Sequence, residues 1–392
     1  MTGLPGRTLA RLFALALAAR LAVLPFTLPR YGWGRAYPDT AQYEAMAANL
    51  LDGQGLVVSD RQAAVRPPLY PVLLAGFRAA LGSGRAFVLG VVLAQCGMMA
   101  LASVLAADLG SRLFGPSCGR LAGLACALHP ELLLYPSLLL SETLAVLLVV
   151  AAPWACAVSR TAWRPWRWAV AAGAFCGAAA LTRASLLPLA PLAAVWLGRT
   201  LRPGDALACL GAAALMVLPW TLRNRARLGA WVPVTTKMGW DLYEQNCPEA
   251  TGGPIYETIR WPREVEGMAE VEADLFLRRA ARDWALGHPR RVLELTLSRV
   301  RRFWSPVPND PAHRGLPFVL AGLASNLPLF ALAGLGFVTI ARAAPSAWAL
   351  AAMPVLLLAL VHAVFMGSVR YRAPAIPALA VLAASAAGRR RA

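Results

Sequence analysis

Apolar residues do not alternate singly with polar ones along this chain. They come in long runs, each ended by a short cluster of arginine, proline or glycine. A run of roughly 20 apolar residues, wound as a helix, crosses a hydrocarbon layer ~30 Å thick. In lipid the backbone must satisfy its own hydrogen bonds, so such runs are read as helices. They predict spans over 8–29, 84–108, 113–130, 141–158, 167–182, 184–198, 205–222, 317–341, 344–366 and 372–388. The fold class expected is an all-α polytopic membrane protein of about ten transmembrane helices. The stretch 68–82 is apolar but short, and is expected at the interface or dipping into it. Arg7 and Arg11 precede an apolar run as in a signal peptide. Arg20 then interrupts the run, which resumes to Leu28 without a cleavage site, predicting an uncleaved first span.

The cations between the runs orient the set. Arg7, Arg11, Arg112, Arg120, Arg160, Arg164, Arg167, Arg199, Arg202, Arg342 and the terminal Arg389, Arg390 and Arg391 fall on one side if the count is ten. Both termini are then cytoplasmic, and the loop 30–66 and the segment 223–316 lie outside. The stretch 167–198 decides the sign: one tilted span there would invert everything after it. Arginines at both of its ends favour a hairpin of two short spans. The predicted organisation is an N-terminal transmembrane module, 1–222, with a first outer loop at 30–66. An extracytoplasmic insert, 223–316, and a C-terminal transmembrane module, 317–392, follow. No internal repeat is evident, which weakens a transporter built from repeated halves.

The insert carries two helical patterns, one over 264–286 and one after His288-Pro289. In the second, Leu293, Leu297, Val300 and Trp304 share a face opposite Arg290, Glu294, Ser298 and Arg301. That helix either lies on the membrane surface or packs on its own small domain. Trp231, Trp240, Tyr243 and Trp261 in the insert either stack on sugar or pack the segment.

Composition agrees with the membrane class: 58% of the 392 residues are hydrophobic and 15% charged, against about 25% charged in soluble domains. The net charge of +18 is scattered in short clusters rather than gathered in a basic domain, so no nucleic-acid partner is expected. Seven cysteines form no framework, and there is no CxxC or HExxH. No disulfide and no zinc site are predicted; a divalent metal at Asp39 and Glu142 stays open without being predicted, and no other cofactor is expected.

Charged residues expected on the outer side are the candidates for chemistry. Outside the insert these acids are Asp39, Glu44, Asp52, Asp60, Glu131 and Glu142. Asp39 sits where a helix N-cap belongs, with Gly53 at the matching C′ position. It either caps that helix or orients a hydroxyl acceptor; the residues alone leave both open. Arg66, Arg183, Arg370 and Arg372 break the orientation rule; one or two of them snorkelling to headgroups is one reading, and a lipid phosphate is the reason favoured for the set. Guanidinium binds phosphate bidentately and keeps its charge.

These residues sit in motifs with a familiar look. Pro38-Asp39-Thr40-Ala41-Gln42-Tyr43 through Leu51-Asp52-Gly53-Gln54-Gly55, Arg66-Pro67-Pro68-Leu69-Tyr70-Pro71, Leu140-Ser141-Glu142-Thr143-Leu144 and Leu181-Thr182-Arg183 come first. Pro219-Trp220-Thr221-Leu222-Arg223-Asn224, Asn246-Cys247-Pro248-Glu249-Ala250-Thr251-Gly252-Gly253 and Arg370-Tyr371-Arg372 follow in order. The chain resembles the GT-C superfamily of membrane glycosyltransferases. Within it, the resemblance is to protein O-mannosyltransferases, lipid A aminoarabinose transferases and rhizobial lipopolysaccharide transferases. It departs from them at Gly367-Ser368-Val369, where relatives often have Gly-Asp-Pro, and in a smaller outer domain.

The resemblance implies inverting transfer of a hexose or pentose from a polyprenyl-phosphate donor to an extracytoplasmic glycan, lipid or protein, at a bacterial inner membrane. Asp39 is then the catalytic carboxylate supported by Glu142, and Arg66 meets the leaving phosphate. Arg183, Arg370 and Arg372 join Arg66 as lipid-phosphate candidates by position. Tyr43, Glu44, Tyr70 and Asn246 are candidates for acceptor or sugar contacts. A flippase for a lipid-linked sugar and a non-catalytic assembly subunit are the competing readings.

Overall fold

The computed structural model describes residues 3–256, 258–310 and 314–388. The predicted terminal arginines Arg389, Arg390 and Arg391 lie outside the described residues. The architecture is helical, without a strand among the described residues. In chain order the helices are α1 (Gly6–Arg30), α2 (Pro38–Leu51), α3 (Leu69–Leu81), α4 (Arg85–Phe114), α5 (Pro116–Leu128) and α6 (Pro130–Leu134). Next come α7 (Glu142–Ser159), α8 (Pro165–Thr182), α9 (Leu189–Thr200), α10 (Pro203–Leu228), α11 (Met238–Gln245) and α12 (Glu270–Gly287). The last are α13 (Pro289–Phe303), α14 (Leu316–Ala343), α15 (Pro345–Val364), α16 (Val369–Arg372) and α17 (Ile376–Gly388).

Six of these, α1, α4, α7, α10, α14 and α15, are long and apolar enough to cross a membrane. The other four predicted spans correspond to α5, α8, α9 and α17. Helices α5, α9 and α17 have only 13, 12 and 13 residues. Each is broken near the same end of the bundle: α5 runs into α6, α9 follows a 3-10 turn at Ala184–Leu186, and α17 follows α16 and a turn at Ala373–Ala375. Irregular backbone at membrane depth is tolerated only where protein or a cavity surrounds it, and these breaks carry Glu131, Arg183, Arg370 and Arg372. The 167–198 stretch forms two helices, α8 and α9, separated by Arg183 and a 3-10 turn.

Helix α7 is the centre of the bundle, 89% buried, whereas α14 is 17% buried and stands at its edge. Small residues let neighbours approach closely, as in other membrane bundles. A Cβ on Gly173 of α8 would run into the Cys209 carbonyl of α10, and one on Gly336 of α14 into the Leu382 carbonyl of α17. Arg20, the cation inside the first span, is fully buried. Its guanidinium donates to the Cys126 and Ala127 carbonyls (3.2 and 3.3 Å) and to the Ser103 hydroxyl. Those carbonyls belong to the last turn of α5, where helix acceptors lack partners and a positive charge is favourable.

Helix α12 begins at Glu270 rather than near 264, because Gly267 adopts a left-handed φ of +88° that ends the preceding 3-10 turn. Helix α13 matches its predicted range, but its packed face is Leu295, Arg299 and Phe303. Leu293 and Leu297 point away from the protein, 60% and 56% exposed. The apolar stripe read from the sequence is therefore open rather than packed on the segment itself.

Candidate active site

Tyr37 holds the N-cap position of α2 and Pro38 the first helical one. Proline suits that position, having no N–H to leave unpaired and a fixed φ. Asp39 is thus the second residue of the helix and does not cap it. Its carboxylate meets cations instead: Arg66 Nη2 lies 2.5 Å from Oδ1, and Arg370 Nη2 lies 2.7 Å from Oδ2. Gln42, three residues on, accepts from Arg66 Nε at 2.6 Å and fixes that side chain's direction. Arg370 reaches onward to Glu142, donating from Nε to Oε1. Arg183 Nη1 stands 3.0 Å from the same oxygen, though not aligned for a hydrogen bond. Residues from α2, the following loop, α7, the end of α8 and α16 so form one continuous chain of charge.

Local structure favours each sign where it stands. Glu142 opens α7, and Arg183 follows the last residue of α8, placing a carboxylate at a positive helix end and a cation at a negative one. Aromatic faces restrain the guanidinium groups: Arg66 lies 5.6 Å from the Tyr43 ring centroid, Arg370 5.2 Å from Tyr37, and Arg183 4.8 Å from Tyr371. Three guanidinium groups face two carboxylates, leaving one positive charge unbalanced. Burial pushes the Asp39 carboxyl up, but Arg370 and Arg66 together pull it well below the usual carboxylate range. While both arginines stay bound to it, Asp39 is ionised and a weak base.

Beside this cluster lies a cleft of about 1400 Å³. Asp39, Gln42, Arg66 and Arg370 line its charged end; Val23 of α1, Leu133 and Leu134 of α6, and Phe318 and Ala321 of α14 line an apolar flank. The opposite end of the bundle is tied separately. There Asp108 accepts from the Leu4 amide (3.0 Å), Arg112 Nε (2.6 Å) and Trp154 Nε1 (2.8 Å).

Of the residues singled out in the sequence, Asp39, Arg66, Glu131, Trp240 and Arg370 line the cleft, and Glu142 and Arg183 contact this cluster from outside the lining. Arg372 is fully buried and turned away, donating to the Phe303 and Ser305 carbonyls (2.8 and 2.7 Å), to Glu131 (2.6 Å) and to Asn326 (3.2 Å). It brackets the end of α13 to α6 and α14. Tyr43 and Tyr70 pack edge to face, 5.1 Å apart, with Tyr70 donating to Gln95. Glu44 pairs with Arg35 at 2.6 Å, and Asn246 accepts from Arg299 at 3.3 Å. None of these four lines the cleft.

Sequence reasoning missed Lys237, Asp241 and Glu244, which do line it. The signal available was that Lys237 is the single lysine in the chain, with Asp241 and Glu244 one and two helical turns after it. Among the described residues no group of three or more His, Cys, Asp or Glu is placed to hold a metal. All seven cysteines are buried, Cys247 included, so a thiol probe of sidedness belongs at exposed Glu249 instead.

No protein-family model matches the sequence, and no curated protein does. Solved structures match it well. ArnT from Cupriavidus metallidurans bound to undecaprenyl phosphate superposes with a TM-score of 0.61 at 16% identity, over 96% of this chain and 60% of that one. The oligosaccharyltransferase AglB from Archaeoglobus fulgidus, in complex with an inhibitory peptide and a dolichol-phosphate, gives 0.59 at 13% identity, over 97% of this chain and 50% of that one. The apo oligosaccharyltransferase of the same archaeon gives 0.60 at 12%. The chain thus spans about half to three-fifths of the length of the structures it resembles. By its helical bundle, its cluster of charge at one end and these superpositions, this is a multi-pass membrane protein with the GT-C fold of membrane glycosyltransferases.

Proposed function

We propose that the chain transfers a hexose or pentose from a polyprenyl-phosphate donor to an extracytoplasmic glycan, lipid or protein, with inversion, at the outer face of a bacterial inner membrane. The observation that carries this reading is the contact of Asp39 with both Arg66 and Arg370 at the charged end of a cleft whose flank is apolar. A lipid phosphate fits the arginines, and its isoprenoid chain fits the flank between α1 and α14. ArnT, whose structure holds undecaprenyl phosphate, and AglB, whose structure holds a dolichol-phosphate, support a lipid phosphate as the class of ligand.

In this mechanism an acceptor hydroxyl attacks the anomeric carbon from the face opposite the phosphate. The new glycosidic bond forms as the anomeric carbon–phosphate oxygen bond breaks, and the phosphate leaves with the electron pair. Arg66 and Arg370 move their hydrogen bonds to that phosphate, where fixed positive charge lowers the barrier. Doing so strips Asp39 of the cations that keep it a weak base, so its basicity rises as the hydroxyl proton needs a destination. Glu142 and Arg183 hold Arg370 from behind. The arginine-rich helix ends at the opposite end of the bundle support a cytoplasmic position for that end.

The test is donor choice. The purified chain in nanodiscs, supplied with envelope extract as acceptor, is expected to release polyprenyl phosphate from at least one of a panel of polyprenyl-phosphate hexoses and pentoses. Nucleotide sugars should be inert. Turnover of a nucleotide sugar, with none of any lipid-phosphate sugar, would overturn the reading.

A further inference from the structure

One wall of the cleft takes no part in the phosphate chemistry. Lys237, Trp240, Asp241 and Glu244, at the start and along one side of α11, line it together with Tyr256. Trp240 and Tyr256 each pack against Trp261, with ring centroids 4.9 and 5.3 Å apart, and Trp261 stays behind them. Tyr256 is 56% exposed. The carboxylates are held in place: Glu244 is buried and accepts from the Ile255 amide at 2.9 Å, and Asp241 pairs with Lys237. Helix α11 is itself fixed, since the Gly239 amide donates to Asp274 of α12 at 2.5 Å and a Cβ there would strike the Asp274 carbonyl.

We propose that this wall is a subsite for a sugar ring, in which Trp240 and Tyr256 take its C–H face and Asp241 and Glu244 accept its hydroxyls. The chemistry matches term by term. A pyranose or furanose offers weakly positive C–H bonds on one face, which suit the negative face of an aromatic ring. It offers neighbouring hydroxyl donors at its edge, which suit a fixed carboxylate with free acceptor sites. A few fixed polar groups beside aromatic walls in a concave site are what small-molecule recognition requires. Asp39 feels the charge of Lys237, and Arg66 that of Asp241, so the subsite adjoins the phosphate cluster. The assignment of that sugar to donor or acceptor rests on the transferase reading; its recognition does not.

The experiment measures binding to the full chain in nanodiscs by saturation-transfer NMR. The probes are methyl glucoside, mannoside, galactoside and arabinoside, followed by undecaprenyl phosphate and a panel of polyprenyl-phosphate sugars. At least one sugar-bearing probe should bind the wild type and weaken roughly tenfold or more in Trp240→Ala. Because Trp240 supports Trp261, Asp241→Asn is the second variant. Among the described residues its side-chain hydrogen bond is to Lys237, on the same wall, and the same probe should weaken in it. If lipid-linked sugars weaken while undecaprenyl phosphate does not, the ring is the donor's; if only free glycosides weaken, it is the acceptor's. The proposal is overturned if no sugar-bearing probe depends on either residue. Failure of undecaprenyl phosphate to bind the wild type would sink the transferase reading alone and leave the glycoside result standing.

Discussion

Asp39→Asn should lower the rate of sugar transfer by about 10²–10⁴, the usual contribution of a positioned acid or base, and leave lipid-phosphate binding intact or tighter. The amide keeps the shape of the side chain but accepts no proton. It also releases Arg66 and Arg370 from the two short contacts that now occupy them. Both cations then meet the lipid phosphate without first leaving a carboxylate. Initial transfer rates and undecaprenyl phosphate affinity, measured on the same preparation, separate the effects. A variant that transfers at the wild-type rate would show that Asp39 is only a brace for the arginines. One that loses lipid binding as well would show that the carboxylate organises the site rather than serving the acceptor.

Arg66→Gln should act in the opposite sense on binding. Removing one cation from the leaving phosphate should cost about 10²–10³ in turnover and weaken undecaprenyl phosphate binding about tenfold or more. The fold should persist, because Asp39 keeps Arg370 as a partner and Gln42 can still bond to the new amide. Arg66→Lys should recover part of the binding and less of the turnover: an ammonium is a point charge and does not reproduce the bidentate fork. Substrate titration reads both changes. Equal rates and affinities in Arg66→Gln and the wild type would remove the phosphate from this end of the cleft.

Much of this architecture is legible in the chain because hydrophobic runs and arginine clusters are local signals. The runs mark the long helices, and 167–198 forms two helices, α8 and α9, where the arginine placement favours two. The breaks in α5, α9 and α17 are less visible. An apolar run interrupted by Pro130, Pro188 or Pro374 reads the same whether the helix continues or re-forms after a turn. For the site, sequence isolates Asp39, Glu142, Arg66, Arg183 and Arg370 because charge is scarce in an apolar chain. It does not tell Arg370 from Arg372, two residues apart, one lining the cleft and one buried against helix-end carbonyls. That distinction depends on which way a four-residue helix is turned. Nor does it show Asp39 as a cation partner in place of a cap, since the two-residue shift of the N-cap to Tyr37 follows from Pro38 taking the first helical position. Of the wall formed by α11, Trp240 is visible in the sequence as a residue that could stack on sugar, whereas Asp241 and Glu244 escape because they lie in a segment rich in acids.

A structure of the full chain bound to undecaprenyl phosphate in a nanodisc addresses the lipid site without any need to know the sugar. The expected result has the phosphate within hydrogen-bond reach of Arg66 and Arg370, the isoprenoid between α1 and α14, and Asp39 freed from at least one guanidinium. A phosphate resting at the Asp108 end, or one bound beside an undisturbed Asp39 with both arginines still attached, would contradict the account.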